Sequence, residues 1–580
     1  MNINDLKKWL KTTPIAEVKQ YANKLEGKVE ELKVDANIFA SKNDIQAVED
    51  IMEDIRYYSR IYRITRGYFD VLFFAYEYFS EDKNELNETN LIPAGVSIED
   101  APDFHRELCS KLDDLNTVNK TKNIGWGAPR GSGKSAYLSN IEPCHAVVYG
   151  TRKYILIISE TIAMSQNFLG FVSTNLKTNP KLREDFGELL HPNKNKNIED
   201  NQEAFVTFTD IKVQASSMGG QLRGSRYKEA RPDLILADDI ESSKNTNTAD
   251  LRDKNLDWFN KIVVPLGDID KTAIIYMGTL VHGQGLLPDV LSRADYDSKI
   301  YSSIISEPVR QDLWDKVETM LRDVENPNRL NEATAFYHEN QEAMDEGVEV
   351  LWGARFSYFA LILKKIEVGS RAFFSEYLNL PSDLESAIFR EDYFYHYSDN
   401  DLFDNYGKRI PLDVVGFYDI AMGKNKRSDY NSIHIVGRDR RTGVLYVLES
   451  WNKKCTPSEA LEKCLELIAK HKPKTFGVET INAQFEIFRM LQSAIIKQGL
   501  YYTKIVPVNP TAKKEQRIEM LEPLFEQGIV RTRKDHRLLH EMLLQYPNHN
   551  HDDAPDCLAS AINLLRVNRK KGYFYKPEGI

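Results

Sequence analysis

The residues with the most specific chemistry are Ala128, Pro129, Arg130, Gly131, Ser132, Gly133, Lys134 and Ser135. They follow a short apolar run, Ile124 to Gly127, and precede Ala136-Tyr-Leu-Ser-Asn-Ile141, which can open a helix. A strand, a glycine-rich loop and a helix in that order form a cradle for phosphate. Gly131 and Gly133 let the backbone curl so that successive N–H groups converge on phosphate oxygens. Lys134 can reach the outer phosphates and Ser135 can ligate Mg²⁺, while the helix start adds a favourable dipole. Ala128 stands where a glycine is usual, and a small residue is tolerable there.

Hydrolysing ATP at such a loop also needs one carboxylate to hold Mg²⁺ and another to activate water. Leu234-Ile-Leu-Ala-Asp-Asp239 is an apolar stretch that ends in two acids. Asp238 and Asp239 stand where these two carboxylates belong, and Glu241, two residues on, is an alternative base. Arg130 lies inside the loop and can reach phosphate charge. Arg223 and Arg226 occupy a glycine-rich stretch before the acidic strand, where one could serve as a finger to a neighbouring subunit or touch DNA. Thr279 ends the next apolar run, as a γ-phosphate sensor or as a cap.

A second set of acids lies far along the chain. Asp419 closes one apolar run and Glu479 closes another, and Asp552, Asp553 and Asp556 open a helix in His551-Asp-Asp-Ala-Pro-Asp556. Asp552 and Asp556, four apart, are expected on one helical face, with Pro555 compatible with a first turn. Acids at two strand ends and one helix start meet in a ribonuclease H-like fold. Clustered carboxylates repel unless cations neutralise them, and two Mg²⁺ or Mn²⁺ ions about 4 Å apart are the natural occupants for phosphodiester cleavage. Asp429 is a possible fourth acid or a turn residue. Lys513, Lys514 and Arg517 are at helical spacing to hold a DNA backbone, with Arg531, Arg533 and Lys534 extending that patch.

The elements that must position these groups fall into successive regions. Residues 1–95 read as helical, and the aromatic-rich Ile61 to Tyr76 is either a docking face or, preferably, an ordinary helical core. A polar linker follows. Residues 104–300 alternate strand and helix, as in a parallel α/β sheet that binds ligand at its carboxyl edge. Residues 301–405 are more charged and less regular and are expected to connect two modules. Residues 406–570 give three antiparallel strands, then alternating helices and strands, with one helix spanning Lys513 to Phe525. Residues 571–580 form a tail.

Bulk properties set limits on function. The chain has 580 residues, room for about three or four domains, and a net charge of −10, so any nucleic-acid surface must be local. Five scattered cysteines without a CxxC argue against a zinc site and fit a reducing cytoplasm. No signal peptide and no apolar run of about 18 residues is found, so no membrane association is expected.

Taken together, Ala128–Ser135, Arg231 to Glu241, Gly278-Thr279, Phe374 to Pro381, Asp419, Glu479 and His551–Asp556 resemble the tailed-bacteriophage terminase large subunit, an ATPase joined to a nuclease. The resemblance spans about residues 104–570. It implies a P-loop ATPase domain followed by a ribonuclease H-like nuclease domain. It further implies translocation of double-stranded DNA into a procapsid, cleavage of concatemeric DNA, a portal protein and a small terminase subunit as partners, a pentameric ring while packaging, and a place in the host cytoplasm. Under it, Lys134 binds phosphate, Arg130 is the loop arginine, Asp238 holds Mg²⁺, and Asp419, Glu479 and the Asp552/Asp556 pair serve the nuclease. The residue after the Mg²⁺ aspartate is often Glu in that family and is Asp239 here, which leaves Asp239 and Glu241 both open as base. Two other functions fit the same residues: a nucleic-acid remodelling ATPase with an inactive nuclease fold, and a nucleotide-switched scaffold without turnover.

Overall fold

The computed structural model describes residues 3–84, 91–323, 326–380, 388–404, 406–420, 430–480, 485–510, 512–547 and 551–567. Asp429 and the tail 571–580 lie outside them. The chain divides into two compact units: Met1–Ser306 with Glu349–Ser357 and Phe374–Ser382, and Glu307–Val348 with Tyr358–Phe373 and Asp383–Ile580. Residues 301–405 are thus shared between both units. Rather than being irregular, they carry helices Gln311–Arg322, Arg329–Asp345, Tyr358–Val368 and Ser370–Glu376. Their charges sit on exposed helical faces, where Lys364 pairs with Glu367 three residues on.

The first unit is built on an eight-stranded sheet. Its strands are β1 (Asn123–Gly127), β2 (Tyr154–Ser159), β3 (Glu199–Asp200), β4 (Ala204–Val206), β5 (Lys212–Ser217), β6 (Leu234–Asp238), β7 (Ala273–Gly278) and β8 (Tyr296–Ile300), in the order β3-β4-β5-β2-β6-β7-β1-β8. The β4–β5 pair expected from Phe205 and Ile211 is antiparallel, and β5 onward is parallel. β2 is a run of Ile and Leu flanked by Tyr and Ser and buried throughout, because helices cover both faces of a parallel sheet. β7 sits between the loop strand β1 and the acidic strand β6. The carboxyl ends of all three therefore share one edge.

Two long N-terminal helices, Ile15–Ser41 and Ile45–Gly67, form a hairpin whose second member starts on an Asp44 cap. The aromatic stretch after it is core. Ile61, Ile64, Tyr68, Phe74 and Tyr78 are buried in one cluster with Trp126 and Tyr149. The helix breaks at Asp70, which caps Val71–Phe79 by accepting from the Phe73 amide. A side chain at Gly67 would meet the Tyr149 hydroxyl at 2.7 Å, so only glycine permits this approach. Arg63 holds both oxygens of Asp185 at 2.7 Å, and Tyr78 donates a third bond to that buried carboxylate.

In the first unit β9 (Ile304–Ser306) pairs with β10 (Glu349–Val350). The second unit carries a seven-stranded sheet of β11 (Tyr395–His396), β12 (Leu412–Asp419), β13 (Asn431–Asp439), β14 (Leu445–Lys453), β15 (Thr475–Glu479), β16 (Lys504–Val508) and β17 (Val530–Thr532), in the order β11-β17-β14-β13-β12-β15-β16. β12 to β14 form the expected antiparallel meander, and β15 and β16 add in parallel beside β12. First, second and third strands in reverse, followed by the fourth and fifth, is the ribonuclease H-like order. Helix Asp553–Val567 packs on β12 and β13.

The sequence pattern missed or blurred several elements. The helix expected over Lys513 to Phe525 is two, Lys514–Glu519 and Glu522–Glu526, because Pro523 has no N–H to continue the first. The last helix starts at Asp553 rather than Asp552. β17 pairs with Leu445 and Tyr446, at the end of the sheet opposite Asp419. Arg531, Arg533 and Lys534 therefore do not extend the patch at the acids, and Arg533 is instead engaged by Tyr397 and Asp399. All five cysteines are free thiols. Among the described residues no helix is long and apolar enough to cross a membrane.

Candidate functional site

The first site lies at the carboxyl edge of β1, β6 and β7. The loop after β1 turns through left-handed backbone at Gly131 (φ 79°) and Gly133 (φ 84°), which favours glycine. Its outer side is walled by aromatic residues. A side chain at Gly131 would meet Phe356, and one at Gly133 would meet His105 and Trp352. His105, from helix Asp103–Thr117, approaches the Ser132 carbonyl at 2.6 Å through Nε2. Burial lowers its pKa to about 4, so the ring is neutral and its proton is on Nε2. After the loop the helix begins with a π-turn, Ala136–Ile141, a wide turn that recurs near functional sites.

The acids expected here behave differently from one another. Asp238 ends β6 almost fully buried and accepts from Ser135 Oγ at 3.0 Å and Ser139 Oγ at 2.7 Å. Burial raises its pKa, the Asp239 charge adds to that, and Lys134 opposes it. Asp239, in left-handed backbone (φ 43°), pairs with Lys134 Nζ at 2.9 Å and accepts from the Thr279 amide. Glu241 is not brought to the loop. Its carboxylate accepts from the Leu286 and Leu287 amides, both at 2.8 Å, and from the Tyr276 hydroxyl. It is the cap of helix Leu286–Leu291, buried, with burial raising its pKa against those amides.

Arg130 leans out of the loop, its Nη1 2.7 Å from Glu376 and its amide donating to the Glu376 carbonyl. Arg223 and Arg226 are exposed, on the segment between β5 and β6. Among the described residues neither is brought to the loop by a hydrogen bond or ion pair. Asn379 donates to the Tyr301 carbonyl and accepts from the Leu280 amide, fixing the stretch after Thr279. The sequence reading did not single out Ser139 or His105. The only signal for Ser139 was its position four after Ser135, on the same helical face. Hard oxygens from Ser135 and Asp238 beside a lysine fit Mg²⁺ carried with a nucleotide phosphate.

The second site lies on the other sheet. β12 and β15 are parallel neighbours paired through Tyr418 and Val478, so Asp419 and Glu479 project from adjacent strand ends. Asp556, in the first turn of helix Asp553–Val567, completes the group: one carboxylate oxygen from each lies within 4.8 Å of the others. The pKa of Asp419 is raised well above the carboxylate range by desolvation, then by Glu479 and by Asp556. Such mutual repulsion between hard oxygen donors fits divalent cations.

Asp552 and Asp553, also expected as ligands, are outside this group. Lys514 pairs with Asp552 at 2.5 Å and with Asp553 at 3.3 Å, and Asp553 also accepts from the Tyr430 amide. The reason is the helix start: with Asp553 as the first helical residue, Asp552 precedes the helix and only Asp556 projects toward β12 and β15. Arg517 holds Asp556 through two bonds, at 2.7 and 2.5 Å. Lys513 is exposed at the start of the helix that carries Lys514 and Arg517.

A sheet carrying a glycine-rich loop and strand-end acids, and a second sheet of ribonuclease H-like order with a carboxylate triad, thus occur in one chain. No family model matches the sequence, and no curated protein matches it. Among solved structures it is similar to the large terminase of a thermophilic bacteriophage, at 10% identity over 78% of this chain and 97% of that one, with a TM-score of 0.43. It is similar to the nuclease domain of the Thermus phage P74-26 large terminase, at 18% identity over 33% of this chain and all of that one, with a TM-score of 0.23. The human cytomegalovirus terminase nuclease domain, soaked with Mn and bound to an inhibitor, is similar at 14% identity over 30% and 89%, with a TM-score of 0.21.

Proposed function

We propose that the chain hydrolyses ATP at the Lys134 loop and cleaves DNA at the Asp419 triad, as the large subunit of a phage DNA-packaging motor. The observation that carries this reading is the convergence of Asp419, Glu479 and Asp556, from three separate elements, beside a sheet of ribonuclease H-like order. A phosphate loop in the same chain makes the pair of activities that of a machine which moves and cuts a polymer.

At the first site the loop amides and Lys134 take the β- and γ-phosphates. Ser135 and Asp238 hold Mg²⁺, with Ser139 fixing the second Asp238 oxygen. Asp239 accepts the proton of the attacking water, oriented by the Thr279 amide. Phosphate entering the loop competes for Lys134 and so frees Asp239 from its ion pair. Arg130 answers the charge on the transferring group once drawn from Glu376. Whether Arg223 or Arg226 reaches a neighbouring subunit follows from the ring, which on this reading is a pentamer docked on the portal with a small subunit choosing the DNA.

At the second site Asp419, Glu479 and Asp556 hold the divalent cations, which when bound supply water activation and leaving-group neutralisation. Lys514 and Arg517 face the same end and contact the DNA backbone.

Supercoiled plasmid with Mn²⁺ tests the nuclease, and ATP turnover tests the motor. Asp419→Ala is expected to stop cutting and leave turnover largely intact, and Lys134→Ala to stop turnover. Normal cutting by Asp419→Ala removes the nuclease assignment. Normal turnover by Lys134→Ala removes the motor.

A further inference from the structure

Both oxygens of Asp556 are already engaged. Arg517 meets them side by side, Nε on Oδ1 at 2.7 Å and Nη2 on Oδ2 at 2.5 Å, and its third nitrogen is anchored on the Ala512 carbonyl at 2.8 Å. Both partners are largely shielded from water, with 15% and 4% of their side-chain surface exposed. Three residues earlier on the same helix, Lys514 spans Asp552 and Asp553. Two positive charges are therefore laid across the acids at this end of the helix.

This arrangement opposes the binding of a divalent cation at Asp556. The guanidinium takes one of the two lone pairs on each oxygen, and its charge repels a cation at short range. A planar guanidinium also has a second partner of equal geometric fit, a phosphodiester, which it grips with the same two parallel bonds.

We propose that Arg517 couples DNA binding to metal binding: an incoming backbone phosphate draws Arg517 off Asp556, and the freed carboxylate then takes its share of the divalent cation. The inference rests on the nuclease reading of the triad and adds a positioning residue that keeps the acids under-occupied until substrate arrives. Such an arrangement withholds cutting from a chain that carries metal but no DNA. By linkage, metal must strengthen DNA binding by the same factor by which DNA strengthens metal binding.

The test is Mn²⁺ titration of the full chain without nucleotide, followed by electron paramagnetic resonance, with and without a short phosphorothioate duplex that resists cleavage. The duplex is expected to raise the wild-type Mn²⁺ affinity about tenfold, within the usual range of coupling. Arg517→Ala is expected to bind Mn²⁺ about tenfold tighter than wild type without DNA, and to gain less than about twofold from the duplex. Arg517→Gln keeps the bulk of the side chain and carries the same expectation if the alanine variant does not fold. Wild-type Mn²⁺ affinity and a wild-type response to DNA in a folded Arg517 variant overturn the proposal and leave the nuclease standing. If Asp419→Asn removes none of the bound Mn²⁺, the nuclease reading fails first.

Discussion

Glu241 and Asp239 are separated by one residue, and their environments assign them different consequences. Glu241→Gln turns one carboxylate oxygen into an NH₂ that faces an N–H or O–H donor. One hydrogen bond from a backbone amide is lost, from Leu286 on Oε1 or from Leu287 on Oε2, and a buried donor is left unpaired. That costs about 1–3 kcal/mol. Removing the negative charge from the start of helix Leu286–Leu291 adds about 0.5–1 kcal/mol. At about 2–4 °C per kcal/mol, the unfolding temperature should fall by several degrees, while ATP turnover per folded molecule stays within about threefold of wild type. Asp239→Asn differs in its effect on turnover. It keeps one acceptor oxygen, for Lys134 on Oδ2 or for the Thr279 amide on Oδ1 but not for both, so its stability also falls. Turnover, deprived of its base, drops about a hundredfold or more. Scanning fluorimetry and a coupled ATPase assay on the same preparations read both quantities. A Glu241→Gln protein of unchanged stability that has lost turnover, beside an active Asp239→Asn protein, would refute the assignment.

Three further outcomes follow from individual contacts. Ser139→Ala removes one of two hydroxyl bonds to Asp238 and should raise the Mg²⁺ concentration needed for half-maximal turnover by about fivefold, for a bond of about 1 kcal/mol, with kcat little changed; an unmoved Mg²⁺ titration would count against Asp238 as the metal carboxylate. Arg63→Ala removes two bonds from the fully buried Asp185 carboxylate and leaves it Tyr78 and Arg60, so it should cost about 2–3 kcal/mol in urea unfolding, part of it restored by adding Asp185→Asn; a loss below about 1 kcal/mol would mean the pair is not what joins the N-terminal helices to the sheet. Glu142, fully buried against Asn116, has its pKa raised by burial to about 8. The native state keeps this proton between about pH 5 and 7 while the unfolded chain has released it, so this group makes stability fall with rising pH, by about 1.4 kcal/mol per unit. Glu142→Gln should flatten that slope, and identical pH–stability curves for both proteins would contradict it.

The local signals in this sequence were those set by local physics. The loop was legible because Gly131 and Gly133 must adopt left-handed backbone there, and because a strand and a helix flank them. β2, β6 and β12 were legible as apolar runs because a sheet strand covered on both faces has no polar side to display. The succession of elements in the second unit was legible as a change of period, three strands and then alternating helices and strands. Short pieces such as β11 and β17 left no such trace, since two or three residues carry no periodicity.

What tertiary structure alone decided is which acids act together. Asp238, Asp239 and Glu241 are near neighbours in sequence, yet two face the loop and the third closes a helix, because the chain turns at Asp239 into left-handed backbone. On paper Asp552 and Asp556 share a helical face and Asp553 lies between them. Only the residue at which the helix begins, and the Lys514 and Arg517 charges laid across it, separate the one beside Asp419 and Glu479 from the two that are not. Residue type and spacing fix the chemistry available, whereas the direction in which a carboxylate points depends on backbone turns and distant partners that no local pattern encodes.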